Sequence, residues 1–368
     1  MKRFFALTLA ALFCLAVLAG CAPAGTDTPD DTAGPGEAET GGKPVVGIAM
    51  PTKEQPIWAA YGDKLEEAFT AAGYETIVEF AEDDTARQIM QIENMLTKGA
   101  EYLVISAVDS YSLSDVCDKA AAEGVKVIAG DRLINNTENV DYYVTFDLIR
   151  MGEIQGEYIE SALGLKDGKG PFTIEIFSGS PDDTNSVPFY EGAMNILQPY
   201  LDNGMLVCRS GQVDLAVNGT LKWDPAAAQS RMDNILSGYY TDTRLDAVLV
   251  AADCLGTGVI SSLSSMGYGT EDQPFPVITG QDCELTAIKY IQEGKQSMTV
   301  FLDPVVFAEK VLGLVDAMEN GETVTPDTTY NNDAKEIDTI TYDPYLIDAS
   351  NIDHLIEVGF YTEGDIYG

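Results

Sequence analysis

Residues 44–80 read PVVGIAMPTKEQPIWAAYGDKLEEAFTAAGYETIVEF, and this stretch decides the fold. Val45–Met50 is a short, nearly continuous apolar run, as a strand shows when both of its faces are covered. A helical pattern follows over Trp58–Ala72, with Tyr61, Leu65 and Phe69 on one stripe and Gly73 as the C-terminal stop. Thr76–Phe80 then returns to strand character. Strand, helix and strand at this pitch predict a βαβ unit and a parallel sheet.

The pattern continues in both directions along the chain. Residues 86–98 repeat the helix design, with Ile89, Ile92 and Leu96 inward and Gly99 ending it. Further strands are predicted at Tyr102–Ser106, Lys126–Ala129, Tyr142–Thr145, Phe172–Phe177 and Leu206–Arg209. Ala247–Val250, Pro276–Thr279 and Met298–Phe301 complete the set. The pattern restarts near 171, after the polar loop Gly164–Pro171, so two similar α/β domains are expected. The glycines of that loop match neither GxxxxGK[ST] nor GxGxxG and carry no phosphate signal.

Composition narrows the function. A chain of 368 residues is long enough for roughly two domains, and 45% hydrophobic residues can build their cores. Against 59 acidic residues stand 21 basic ones, a formal charge of −38, which argues against nucleic acid and against a basic face on anionic lipid. The single histidine, His354, excludes a Ser-His-Asp triad elsewhere in the chain and any multi-histidine metal site. Residues 1–20 carry a short basic start and an apolar stretch, the pattern of an export signal. They run into Leu18-Ala19-Gly20-Cys21, which resembles the lipobox of bacterial lipoproteins and makes Cys21 the expected lipidation site. Residues 21–43 then form an expected flexible tether, since Gly, Pro, Thr, Asp and Glu cannot offset ordering entropy. Cys117, Cys208, Cys254 and Cys283 lack zinc-site spacing and read as small core residues, with a Cys254–Cys283 disulfide left open.

Polar side chains gather where strands end. Asp109, Asp131-Arg132, Asp147, Asp182-Asp183 with Asn185, Asp253 and Gln281-Asp282 each follow a predicted strand. Ligands of open parallel sheets bind beyond the carboxyl ends of the strands, where such groups can meet vicinal hydroxyls. Any one Asp there can equally cap a helix or make a turn; six together favour a site. Trp58 and Trp223 each follow a strand at a helix start, and a flat apolar ring suits the C–H face of a pyranose. A tryptophan wedged on the core is the plainer alternative.

Read together, Gly47–Thr52, Gln91–Met95, Gly130–Ile134, Gly179–Asn185, Trp223-Asp224-Pro225 and Gly280-Gln281-Asp282 resemble one family. This is the periplasmic sugar-binding proteins of ABC transporters, in the xylose and multiple-monosaccharide (galactose/glucose-type) branch. The resemblance covers residues 44–345. It implies a type I periplasmic-binding-protein fold, two Rossmann-like lobes joined by three crossings near 147, 280 and 303. The lobes are expected as 44–146 plus 281–303 and 147–280 plus 304–368. It implies Trp58 and Trp223 as stacking platforms, with Asp109, Arg132, Asp183, Asn185, Asp253 and Asp282 as hydroxyl partners. No cofactor, metal or catalytic residue is expected. The implied partners are a monosaccharide, an ABC permease with a separate ATPase, and the membrane through the lipid anchor alone, the receptor itself being a monomer. Two positions depart from the family pattern: Ile57 stands where Arg is common, and Leu302 where Lys is common. Both replacements are apolar, so a pentose or deoxy-sugar is the expected ligand, or a pocket re-wired through water. Two alternatives share the same residues: a sensor presenting the sugar-bound form to a membrane receptor, and a surface glycoside-acting enzyme using paired carboxylates.

Overall fold

A computed structural model describes residues 42–368. The expected lipidation site, Cys21, lies outside the described residues, as do the export signal and most of the tether. In the first part of the chain β1 (Val45–Met50), α1 (Pro56–Ala71), β2 (Glu75–Phe80), α2 (Thr85–Thr97), β3 (Ala100–Ile105), α3 (Ser114–Ala122), β4 (Lys126–Gly130) and β5 (Tyr142–Phe146) alternate. The strands pair in parallel. Alternate residues point to opposite faces. Val46, Ile48 and Met50 pack with Tyr61, Leu65 and Phe69 of α1, while Ala49, Leu103 and Ile105 pack with Ile92 and Met95 of α2.

The second part begins with α4 (Leu148–Leu163), β6 (Phe172–Phe177), α5 (Ser186–Asp202), β7 (Leu206–Val207), α6 (Leu215–Asn218) and α7 (Pro225–Tyr239). It continues through β8 (Ala247–Val250), α8 (Asp253–Ser265), β9 (Val277–Ile278), α9 (Leu285–Gln292) and β10 (Met298–Phe301). Its parallel sheet has the order β7-β6-β8-β9. The last elements are α10 (Pro304–Glu319), β11 (Thr328–Asn331), β12 (Glu336–Tyr342), β13 (Tyr345–Asp348), α11 (His354–Glu357) and α12 (Glu363–Tyr367). Among the described residues, no helix is long and apolar enough to cross a membrane.

The final third of the chain corrects the expected division into lobes. Residues 304–342 return to the first sheet, whose order is β11-β12-β5-β4-β3-β1-β2. Helix α10 buries Phe307, Val311, Leu314 and Val315 in the core that α1 also covers. Strand β12 lies parallel to β5, with Ile340 opposite Val144. Residues 281–303 lie instead beside the second sheet: β10 and β13 form a separate antiparallel pair, and the Ser297 N–H donates to the Ile278 carbonyl at 2.9 Å. The chain therefore passes between lobes at Asp147, Asp303 and Asp343, and the crossing expected near 280 falls inside the second lobe. Two crossings touch, the Asp147 N–H donating to the Tyr342 carbonyl at 3.1 Å.

Candidate ligand-binding cleft

The loops that follow β1, β4, β6, β8 and β9 converge on one cavity between the sheets, with about 400 Å³ of empty space including its mouth. Six of the eight expected ligand-binding residues line it: Trp58, Arg132, Asp183, Asn185, Trp223 and Asp282. Pro56 opens α1 and places Trp58 in its first turn, where the indole N–H donates to Gln55 Oε1 at 2.9 Å. Trp223 comes from the other lobe, in a left-handed backbone conformation at φ 54°. Its indole N–H donates to Asp183 Oδ2 at 3.2 Å, and its ring rests on Gly179.

Charge in the cleft is concentrated and unequal. Asp131, Asp183 and Asp282 surround the single guanidinium of Arg132. Arg132 Nε lies 2.9 Å from Asp183 Oδ2 but is too misaligned for a hydrogen bond, so the two form an ion pair only. The guanidinium also stands 4.9 Å from the Trp58 ring centre and donates to the Ala107 carbonyl at 3.0 Å. Burial pushes the Asp131 carboxyl up to about 7, with Arg132 opposing and the neighbouring Asp183 and Asp282 adding to the shift. Burial likewise raises Asp282 to about 6, and the hydrogen bond from Gln281 partly offsets it.

The lobes touch across the cavity. Asn185 Nδ2 donates to both the carbonyl and the Oδ1 of Asp131 at 3.1 Å, and the Tyr143 hydroxyl reaches Asn185 Oδ1 at 3.3 Å. Asp131 itself holds φ 62°, and its carbonyl also accepts from Tyr143 and Thr145. Gln281 lines the cavity with a buried Oε1 that has no hydrogen-bond partner among the described residues, an acceptor left open to a ligand.

Two expected partners are not on the cavity wall. Asp109 caps its own turn, accepting from the Tyr111 N–H and the Ser112 hydroxyl at 2.8 Å each, and lines an adjoining cleft beyond Arg132. Asp253 is fully buried behind the wall, both oxygens taken by Gln296, Thr299 and the Glu284 N–H. Leu302 also corrects an expectation. It is buried in the hydrophobic core and does not face the cavity, so only Ile57 of the two departures bears on the ligand. The four cysteines of the described residues are free, so no Cys254–Cys283 disulfide forms. Cys254, read as a core residue, is partly buried: it packs against the hydrophobic core and also lines the cavity with Ile57, Phe189 and Ala252. Asp131 and Gln281 were legible as polar residues after strands; Gln55, Phe189 and Cys254 carried no such signal.

Comparison with known proteins follows the same outline. The model of the periplasmic binding protein domain matches residues 46–323. The multiple sugar-binding periplasmic protein SbpA of Azospirillum brasilense is 51% identical over 87% of this chain and 90% of its own length. The multiple sugar-binding periplasmic receptor ChvE of Rhizobium radiobacter is 48% identical over 88% of this chain and 92% of its own. A crystal structure of an ABC transporter solute binding protein from Clostridium phytofermentans, with bound β-D-glucose, superposes with a TM-score of 0.83 at 40% identity. That match covers 88% of this chain and 99% of the other.

Proposed function

The chain belongs to the periplasmic binding protein family, and on that premise we propose that it captures a monosaccharide between its lobes for an ABC-type permease. One observation carries the reading: two tryptophans from opposite lobes, Trp58 and Trp223, line a single cavity with Arg132, Asn185 and three carboxylates. Aromatic faces suit the C–H faces of a sugar ring, and the carboxylates and amides suit its hydroxyls. A ligand touching both lobes favours the closed state through its differential affinity for it. Relatives named as binding proteins, together with the family itself, set the glycosidase alternative aside.

The remaining parts of the proposal are finer. Cys21 carries lipid, the tether holds the monomeric receptor at the outer face of a membrane, and a separate ATPase drives transport. Ile57, Phe189, Ala252 and Cys254 give the cavity an apolar sector, which fits a ring with one unsubstituted edge, a pentose or a deoxy-sugar. Thermal unfolding of the chain against pentoses, hexoses and deoxy-sugars tests both levels. Ligand at about 1,000 times its dissociation constant adds about 4 kcal/mol. A strong upward shift with one sugar supports the receptor, and its identity decides the apolar-edge idea. A flat panel refutes the monosaccharide assignment.

A further inference from the structure

We propose that Tyr361 and Asp253 are positioning residues that clamp residues 281–284 from behind and so aim Asp282 into the cleft. The inference rests on reading that cleft as the sugar site. Asp282 and Cys283 are consecutive non-glycine residues in the left-handed region, at φ 91° and 51°. Side chains disfavour that conformation, so it persists only where surrounding bonds over-determine it.

Those bonds are present at every position. The Asp282 N–H donates to the Val300 carbonyl at 2.9 Å, and the Cys283 N–H to Thr299 Oγ1 at 3.2 Å. The Glu284 N–H donates to Asp253 Oδ2 at 3.0 Å, and the Thr299 hydroxyl donates to the same oxygen at 2.9 Å. The Asp253 N–H closes the ring on the Gln281 carbonyl at 3.0 Å. The Cys283 carbonyl accepts from the Tyr361 hydroxyl at 2.9 Å. Tyr361 lies in the segment after β13, beyond residues 46–323 matched by the family model. That segment is anchored by Ile352, Leu355 and Ile366, which share a buried cluster with Cys283 and Phe301. The C-terminal segment thus packs on the 281–284 turn and adds one hydrogen bond to it, from the Tyr361 hydroxyl.

Tyr361→Phe removes that hydroxyl and keeps the ring. Affinities for D-xylose, a 6-deoxyhexose (D-fucose) and D-glucose are measured by calorimetry for the full chain, Tyr361→Phe, Asp282→Asn and the double variant, and the tightest-bound of the three is compared across variants. Tyr361→Phe alone weakens binding about three- to tenfold, the range for one lost hydrogen bond. In the Asp282→Asn background it causes no further loss, because its effect passes through Asp282. Tyr367→Phe, which loses a 2.6 Å bond to Asp353 in the same segment, leaves affinity unchanged. Additive losses or an unaltered affinity overturn the proposal. Amide exchange of residues 282–284 in the sugar-free protein is the second arm, and it quickens in Tyr361→Phe. If the full chain binds no sugar, the receptor reading fails, and this arm alone decides the clamp: unchanged exchange overturns it.

Discussion

Gly179→Ala presses on Trp223 and on the Ser186 hydroxyl beside it. An ideal Cβ at Gly179 stands 2.2 Å from Trp223 Cη2 and 2.4 Å from both Trp223 Cζ2 and Ser186 Oγ. The backbone at Gly179 is not in the left-handed region, so the alanine acts through its methyl group alone. Carbon atoms rest at about 3.6 Å, so the indole must retreat by about 1.4 Å. Overpacking of this kind costs about 1–3 kcal/mol. The ring cannot retreat without stretching its 3.2 Å bond to Asp183, the residue paired with Arg132. A sugar stacked on Trp223 therefore loses its platform and a correctly placed carboxylate together, and affinity should fall at least about tenfold, or 1.4 kcal/mol. Calorimetric titration with the sugar found by the melting panel measures this, beside denaturant unfolding to record the stability change. Gly313→Ala is the control: its Cβ meets nothing within 4 Å on α10, so affinity stays unchanged while stability rises slightly. Wild-type affinity in Gly179→Ala would show that Trp223 is not a wall of the ligand site.

Two other predictions concern charge. Asp131 and Asp282 are raised to about 7 and about 6 from 3.8, so between about pH 4 and 7 the folded chain binds more protons than the unfolded one. Their contribution to stability is fully present below the ordinary carboxylate range and is lost as pH rises through those raised values. Asp131→Asn removes the larger part, so from pH 5 to 8 its urea midpoint should drop less than that of the unaltered chain; equal slopes refute the assignment. Ile57→Arg and Leu302→Lys should separate sharply. The first adds donors at the cavity wall and should shift relative affinity towards fully hydroxylated hexoses, read from the same sugar panel. The second buries an unpaired ammonium in the core and should destabilise by several kcal/mol without retuning preference, as unfolding curves would record.

Much of this molecule was legible in the sequence because its signals are local. A strand covered on both faces must be apolar throughout, and its helices must carry a stripe, so Val45–Met50 and Tyr61, Leu65 and Phe69 announce themselves. Polar residues after strands are equally local, which is why Asp183, Asn185 and Asp282, now placed on the cavity wall, could be singled out as candidates. Strands β11 to β13 were missed because TTYN and EIDTITY are largely polar: β11 is an edge strand, and β12 beside it exposes Glu336 and Asp338 at alternate positions. What the tertiary structure alone decided is which carboxylates face the cavity. Asp109, Asp253 and Asp282 look alike in sequence, each an acid just past a strand. Their fates diverge because one finds its partners within its own turn, one is saturated by Gln296 and Thr299, and one is turned outwards by a backbone held from a distant segment. Composition and periodicity determine the layers, since the spacing of apolar residues along the chain sets which face of each element can be buried. Hydrogen-bond satisfaction depends on groups far apart in sequence, and only the folded chain brings them together.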